Sequence, residues 1–235
     1  MPPSRAAALL LVLLVAGCAS LRPLPPPPAG ADLVVLVHGM GRTPASMRPL
    51  ERALRRAGFR TLRVGYRSTG GATVASAGAE VAAAVARELA RRPAPRVHAV
   101  GHSLGGIAIR WMLVHAPPPA PMGRVVLLAT PNQGSHAADR YASTLGRWQT
   151  PMRELRTTAR GGTVASMPRP PASVEVAVIA GDADGKVWVS EALLPGARAT
   201  VVVPGTHTWL MHDRRVQRLT VAFLRTGSMS RPIFP

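Results

Sequence analysis

The feature that most constrains the fold is a regular alternation of short apolar runs with longer helical patterns from Asp32 onward. Residues 33–37 read LVVLV, which is typical of a strand buried on both faces. Strand and helix patterns that alternate in this way predict an α/β fold, with a mostly parallel sheet of about six strands flanked by helices. The other strands are expected at 60–66, 96–100, 125–129, 174–180 and 199–203.

The segment 132–173 interrupts this alternation. The main helices are expected at 46–57, 76–92, 105–116 and 216–224, with Ser46 as a possible N-cap of the first. Between the fourth and fifth strands, however, only short helix-like pieces stand among Gly and Pro residues. Because the segment is too long for an ordinary connection, we interpret it as a small cap over the edge of the sheet. A disordered insertion is the alternative.

The strongest chemical motif is Gly101-His102-Ser103-Leu104-Gly105-Gly106, which follows a predicted strand and begins a predicted helix. In that context G-x-S-x-G predicts a sharp turn that exposes Ser103 as a nucleophile at the carboxyl edge of the sheet. Glycines leave space where side chains would strike neighbouring backbone. The N-terminus of the following helix favours the negative charge that develops there during acyl transfer.

A second motif, His38-Gly39-Met40-Gly41, follows the first predicted strand. Its glycines allow the backbone to approach a substrate closely. Acyl transfer requires N–H donors to the developing oxyanion, and the expected donors are the backbone amides of Met40 and Leu104. We interpret His38 as a structural histidine beneath this loop rather than as a catalytic base.

A nucleophilic serine needs a general base, and the base needs an acid that orients it. When the serine stands on such a turn, the acid and then the histidine follow it along the chain. His207 lies between the last predicted strand and the last predicted helix, so we predict it as the base, with His212 in reserve. His115 lies too far down its helix, and His136 lies at the start of the cap.

Two aspartates, Asp182 and Asp184, follow the strand expected at 174–180, where the acid should stand. The pattern D-x-D-G also suggests a calcium loop, but Lys186 occupies the next ligand position and Leu193 stands where a Glu is needed. The histidines are too dispersed for a zinc site. We therefore expect neither a metal nor a cofactor.

Together these motifs resemble the α/β-hydrolase superfamily and, within it, the bacterial triacylglycerol lipases and related esterases. The resemblance spans roughly 32–224 and is carried by His38-Gly39, the segment 101–106, Ala129-Thr130-Pro131-Asn132-Gln133-Gly134-Ser135, Asp184-Gly185 and His207. Asp184-Gly185-Lys186-Val187 is similar to the acid loop of many lipases, which favours Asp184 as the acid and leaves Asp182 to stabilise the turn. The short chain lacks the usual first antiparallel strands, and the modest cap argues against interfacial activation.

The resemblance implies an α/β-hydrolase domain at 32–226, with the cap at 132–173 and a C-terminal tail at 227–235. It further implies hydrolysis of carboxylic esters by Ser103, Asp184 and His207 through an acyl-enzyme, with an ester or lipid as substrate. The sequence does not determine the oligomeric state, and we expect a monomer. Because a fold does not fix the acyl acceptor, an acyltransferase, a thioesterase or an amidase stays open. A non-catalytic binding protein is the third alternative.

The N-terminal residues read as a targeting segment. Arg5 precedes about ten apolar residues, too few to span a membrane comfortably. Val15-Ala16-Gly17-Cys18, with the only cysteine of the chain, resembles the lipobox of bacterial lipoproteins. That resemblance implies a signal peptide at 1–17, lipidation of Cys18 and a proline-rich spacer at 18–31; a plain signal peptide is the alternative. Inner-membrane lipoproteins carry an Asp directly after the lipidated cysteine, whereas this chain has Ala19 there. This difference favours an outer-membrane anchor that faces the periplasm.

The charge is strongly basic, with 29 Lys and Arg against 11 Asp and Glu, or +18. Such an excess of positive charge first suggests a protein that binds nucleic acid. The basic residues are scattered, however, and aromatic residues make up only 4% of the chain. All but Lys186 are arginines, which is typical of a GC-rich coding sequence. We therefore expect no nucleic-acid partner, and interpret the arginines as compositional drift or as a surface facing anionic components of the envelope.

Overall fold

Six strands form one sheet in the computed structural model, which describes residues 26–144 and 148–229. The strands are β1 (Leu33–Val37), β2 (Arg60–Val64), β3 (Val97–His102), β4 (Met122–Leu128), β5 (Val176–Gly181) and β6 (Ala199–Val203). Their order is β2-β1-β3-β4-β5-β6, and every neighbouring pair is parallel. The expected α/β fold with a six-stranded sheet is therefore confirmed.

Seven α-helices lie in the described part of the chain. They are α1 (Arg48–Arg56), α2 (Val74–Arg91), α3 (Leu104–His115), α4 (His136–Ala142), α5 (Thr150–Glu154), α6 (Val189–Ala192) and α7 (Arg214–Thr226). Short 3-10 helices lie at Pro44–Met47, Thr158–Arg160 and Leu210–His212. No helix of these described ranges is both long and apolar enough to cross a membrane.

Strand β1 shows why the sheet is buried on both faces. Leu33, Val35 and Val37 contribute to a core shared with α2 and α3. Val34 and Leu36, which point to the opposite face, contribute to a second core shared with α1 and α7. All five side chains are fully buried, so the continuous apolar run serves two cores at once.

Two helix starts differ from those expected, and local hydrogen bonds explain both. Ser46 is not an N-cap, because its hydroxyl donates to the Thr43 carbonyl and a 3-10 turn precedes α1. Helix α2 begins at Val74 rather than Ser76, because Thr73 and Ser76 form a capping box. The Thr73 hydroxyl accepts from the Ser76 amide at 3.0 Å, and the Ser76 hydroxyl accepts from the Thr73 amide at 2.9 Å.

The segment 132–173 carries α4, α5 and one 3-10 helix, and it is attached to α3 by a buried arginine. Arg110 is 2% exposed and donates to Asn132 Oδ1 at 3.2 Å and to the Met167 carbonyl at 3.2 Å. The start and the end of the segment are thus tied to the helix that follows the predicted nucleophile. Residues 1–25, which include the predicted signal peptide and Cys18, lie outside the described residues.

The strand order fixes where a site can form. Strands β2 and β3 lie on opposite sides of β1, so the connections leave the carboxyl ends of β1 and β3 in different directions. Ligands of open parallel sheets bind in the crevice that opens at such a reversal. The two loops that begin there are those of Gly39 and Ser103.

Candidate active site

Ser103 stands on a sharp turn between β3 and α3, with φ 54° and ψ −127°. A positive φ is strained for a residue with a side chain and persists only where the surroundings hold it. Two glycines make room for the turn. A Cβ on Gly105 would overlap the carbonyl oxygen of Val37, and a Cβ on Gly101 would overlap the backbone of Gly106. Close packing of β1, β3 and α3 therefore holds Ser103 at the carboxyl edge of the sheet.

Two backbone amides beside Ser103 are free to bind a ligand. Neither the Met40 nor the Leu104 N–H donates a hydrogen bond within the described part of the chain. Leu104 is the first residue of α3, so its N–H is one of those that a helix leaves without an internal partner. Gly39 lies close to the turn, since a Cβ there would lie 3.1 Å from Ser103 Cβ. Met40 borders the same cavity as Ser103.

His38 supports the loop after β1 from below. Its ring stacks on Tyr66 with a centroid distance of 4.6 Å, and Nδ1 donates to the Gly39 carbonyl at 2.9 Å. The Tyr66 hydroxyl donates to the His38 carbonyl at 2.7 Å. Burial lowers the pKa of His38, which keeps the ring neutral. The ring does not border the cavity, in agreement with its interpretation as a structural histidine.

His207 and Asp184 form a buried pair at the ends of β6 and β5. His207 Nδ1 lies 2.7 Å from Asp184 Oδ2. The other oxygen, Oδ1, accepts from the amides of Lys186 at 2.8 Å and Val187 at 2.9 Å. Burial alone would raise the pKa of Asp184, but the bonds from His207 and the two amides outweigh it and hold that pKa below its ordinary value. A carboxylate here fixes the His207 ring with Nδ1 as the donor, which leaves Nε2 as an acceptor.

His102 is a site residue that sequence reasoning did not single out. Its Nε2 lies 2.8 Å from the carbonyl oxygen of His207, and the two ring centroids are 4.8 Å apart. Burial, reinforced by the neighbouring His207, lowers the pKa of His102 to about 3. The neutral ring therefore donates from Nε2 to the carbonyl. In the sequence, His102 is visible only as a variable position of the G-x-S-x-G motif.

The other candidates lie away from Ser103 or serve the backbone. His212 is exposed and His115 lies near the end of α3, and neither borders the cavity. His136, at the start of α4, also stands outside it. Asp182 Oδ1 accepts from the Gly205 amide at 3.1 Å, which joins the loops after β5 and β6. Of the two aspartates, only Asp184 contacts a histidine in the described residues.

A cavity of about 320 Å³ opens over the turn that carries Ser103, and both Ser103 and His207 border it. Its walls come from the loop after β1, the segment 132–173 and the loop after β5. The apolar part of the wall includes Met40, Pro131, Ala137, Ala138, Met152, Leu155 and Val187. No hydrogen bond joins Ser103 to His207 within the described ranges. Such contacts are often long without substrate and shorten when it binds.

The family model described as alpha/beta hydrolase fold matches residues 32–181, which include β1 to β5 and the predicted nucleophile turn. No curated protein is significantly similar to the chain in sequence. The comparison with solved structures, by contrast, finds many chains of similar fold.

Three of these structures illustrate the similarity. The mature lipase BlEst2 from Bacillus licheniformis has a TM-score of 0.68 at 20% identity, and the match covers 81% of this chain and 90% of that one. A hydrolase from Pseudomonas aeruginosa has a TM-score of 0.55 at 22% identity, covering 86% and 92%. The esterase EaEST from Exiguobacterium antarcticum has a TM-score of 0.55 at 15% identity, covering 84% and 93%. At these identities the similarity is one of fold.

Proposed function

Because the chain belongs to the alpha/beta hydrolase fold family, we propose that it is a serine hydrolase that cleaves carboxylic esters through an acyl-enzyme. One observation carries this proposal: Ser103 stands on a strained turn and shares a cavity with His207, which is bound to the buried Asp184. Nucleophile, base and orienting acid are the three groups that acyl transfer requires. Structural neighbours described as lipases and esterases support the same reaction class.

In the first half of the reaction, Ser103 Oγ attacks the ester carbonyl while His207 Nε2 takes its proton. Asp184 keeps Nδ1 protonated and stabilises the imidazolium that forms. The carbonyl oxygen, now negative, accepts from the free N–H groups of Met40 and Leu104. His207 then gives the proton to the leaving alkoxide, so the alcohol departs and the acyl group remains on Ser103.

In the second half, water replaces the alcohol. His207 removes a proton from water as its oxygen attacks the acyl carbonyl, and the same two amides hold the oxyanion. Collapse of the intermediate breaks the bond to Ser103 Oγ, which takes the proton back from His207. The carboxylic acid leaves, and the triad returns to its starting protonation state.

The size of the cavity favours small acyl groups. About 320 Å³ is near the lower limit for small-molecule sites, and the apolar wall suits a short alkyl chain. We therefore propose short-chain esters as the better substrates and long-chain triacylglycerols as the poorer ones. An alkyl chain that covers this apolar wall gains binding free energy in proportion to the apolar area that is removed from water.

A panel of p-nitrophenyl esters from acetate to palmitate tests both parts of the proposal. We expect kcat/KM to be greatest for acetate to hexanoate and to fall steeply for palmitate. Ser103→Ala should lower turnover by several orders of magnitude. Undiminished hydrolysis by the Ser103→Ala variant would overturn the triad, whereas a maximum at palmitate would overturn only the size argument. Thioester and amide analogues of the best ester measure the alternative activities.

We also propose that Cys18 is lipidated and that the spacer at 18–31 holds the domain beside a bacterial outer membrane, facing the periplasm. The support is the lipobox-like segment 15–18 and the proline run, which favours an extended chain. The full-length protein should enter the detergent phase in Triton X-114 partition, and Cys18→Ala should stay in the aqueous phase. Release of the wild type by high salt alone would contradict a lipid anchor and point to its positive charge.

A further inference from the structure

Two cationic side chains border the cavity, and no carboxylate does. Arg42 comes from the loop after β1, and Lys186 comes from the loop after β5, which also carries Asp184. Within the described residues, neither forms an ion pair with an Asp or a Glu. The nearest acid, Asp184, has a fully buried side chain whose oxygens are taken up by His207 and two backbone amides. The two positive charges at this cavity are therefore not neutralised by the protein.

Arg42 is exposed, but hydrogen bonds of its side chain and backbone hold it at the cavity. Its Nη2 donates to the Thr208 hydroxyl at 3.2 Å, and Thr208 follows the proposed base directly. Its own backbone N–H donates to the Gly39 carbonyl at 3.2 Å, which ties it to the loop beside Ser103. The guanidinium also helps to lower the pKa of the buried His102, although burial is the main cause. Arg42 is thus positioned between the loop that follows β1 and the loop that carries His207.

Lys186 has a fixed backbone and an exposed, unpaired side chain. Its N–H donates to Asp184 Oδ1 at 2.8 Å, and its carbonyl accepts from the Ser135 hydroxyl at 2.7 Å. It is the only lysine among the 29 basic residues of the chain. An ammonium group on a flexible stem is a compact point charge, which complements the planar guanidinium of Arg42.

We propose, as an extension of the ester hydrolase function proposed above, that the substrate carries an anionic group, a carboxylate or a phosphate, which Arg42 and Lys186 bind together. A neutral ester would bring no partner to either cation. An anionic ester would gain two charge-assisted contacts at the mouth of the cavity, where both cationic side chains are exposed and have no acidic partner. The ester carbonyl would remain at Ser103, and the charged group would lie toward the polar part of the wall.

Matched pairs of esters test this proposal and identify the source of the charge. The first pair is the mono-p-nitrophenyl ester of glutaric acid and the p-nitrophenyl ester of a neutral branched acid of the same size. The second is monobutyryl glycerol phosphate and monobutyryl glycerol, followed by titration of the released acid. The first pair places a carboxylate on the acyl side, and the second places a phosphate on the alcohol side.

We expect the wild type to prefer the anionic member of at least one pair by about tenfold in kcat/KM. That ratio should fall toward one in Arg42→Gln and in Lys186→Gln, and should invert in Lys186→Glu. Rising sodium chloride should also reduce it, because salt screens the attraction. Arg87→Gln is the matched control: Arg87 is an exposed arginine of α2 away from the cavity, so its loss should leave the ratio unchanged.

The outcomes separate this inference from the function on which it rests. Equal turnover of both members of each pair, or a preference that Arg42→Gln and Lys186→Gln leave intact, overturns the anionic substrate and leaves the ester hydrolase standing. An equal fall of the ratio in Arg87→Gln assigns the preference to the overall charge and likewise overturns it. Absence of turnover of every ester overturns the proposed function and this inference together.

Discussion

His102 Nε2 donates to the backbone carbonyl of His207 at 2.8 Å, so the turn that carries Ser103 is tied directly to the loop that carries the proposed base. The two residues lie 105 positions apart in the chain. Asp184 holds the ring of His207 from the other side, at 2.7 Å. The position of His207 is thus set by two contacts, one to its side chain and one to its backbone.

Removal of the hydrogen bond from His102 to the His207 carbonyl should make the position of His207 less fixed. His102→Leu deletes the donor and leaves a buried carbonyl without a partner, which costs about 1–3 kcal/mol of unfolding free energy. We expect kcat to fall more than KM changes, because the ring of His207 loses its fixed position. His102→Gln, which can donate from a similar point, should recover much of both losses. Urea unfolding and ester kinetics on the two variants measure this, and equal defects in both would count against a role for the hydrogen bond.

Stability should fall as the solution becomes acidic. Burial lowers the pKa of His102 to about 3 from an ordinary 6.5, and burial also lowers the pKa values of His38 and His98. Between pH 6.5 and 3, the unfolded chain therefore binds protons that the folded chain excludes. Each excluded proton should cost about 1.4 kcal/mol per pH unit. Asp184, with its lowered pKa, acts in the same direction once the pH falls below its ordinary 3.8.

Urea unfolding at pH 7 and pH 5 measures this dependence, and His102→Gln provides the comparison. We expect the variant to lose less stability between these two pH values than the wild type, because it removes one group that must stay neutral. An unfolding free energy that is the same at both pH values would mean that the buried histidines do not set the acid limit.

The two aspartates of the loop after β5 should differ sharply in their effect on catalysis. Asp184→Asn cannot hold His207 in the required tautomer, and we expect a loss of about a thousandfold or more in kcat. Asp182→Asn weakens only the bond to the Gly205 amide, so its effect should be on stability, about 1 kcal/mol. Kinetics of both variants with one ester decide the matter, and a greater loss in Asp182→Asn would reverse the assignment.

Gly105 should tolerate no side chain, because the turn that carries Ser103 leaves no space there. Gly105→Ala brings a Cβ against the Val37 carbonyl, which is backbone and cannot turn away. We expect a loss of about 1–3 kcal/mol or failure to fold, because overpacked sites must shift their surroundings. Gly71→Ala is the control, since a Cβ there meets nothing within 4 Å. Thermal unfolding of the two variants should show a large fall in Tm for the first and little change for the second.

The sequence predicts most of the fold because the fold depends on local patterns. The run from Leu33 to Val37 is apolar at every position and forms a strand between two cores, as the pattern indicates. The predicted helix starts are less accurate. The start of α2, for example, depends on the capping box of Thr73 and Ser76, in which each hydroxyl accepts from the other residue's amide. The buried Arg110 that attaches the segment 132–173 was not predicted, since an arginine is ordinarily exposed.

At the candidate site, the sequence predicts local geometry only where a motif specifies it. The G-x-S-x-G pattern specifies the turn of Ser103 through steric exclusion at its glycines. The choice between Asp182 and Asp184 required a resemblance to known proteins, because both follow the same strand; the structure brings only Asp184 to His207. The contact of His102 with His207 joins distant parts of the chain, and no local pattern reports it.

The most direct test of the account is covalent labelling of the folded protein with a fluorophosphonate, followed by mass spectrometry of its peptides. We predict a single adduct on Ser103, no adduct in Ser103→Ala, and labelling slowed by orders of magnitude in His207→Ala, because the base is needed to activate the hydroxyl. An adduct on another residue, or labelling of Ser103 at an undiminished rate without His207, would contradict a nucleophile activated by the His207–Asp184 pair.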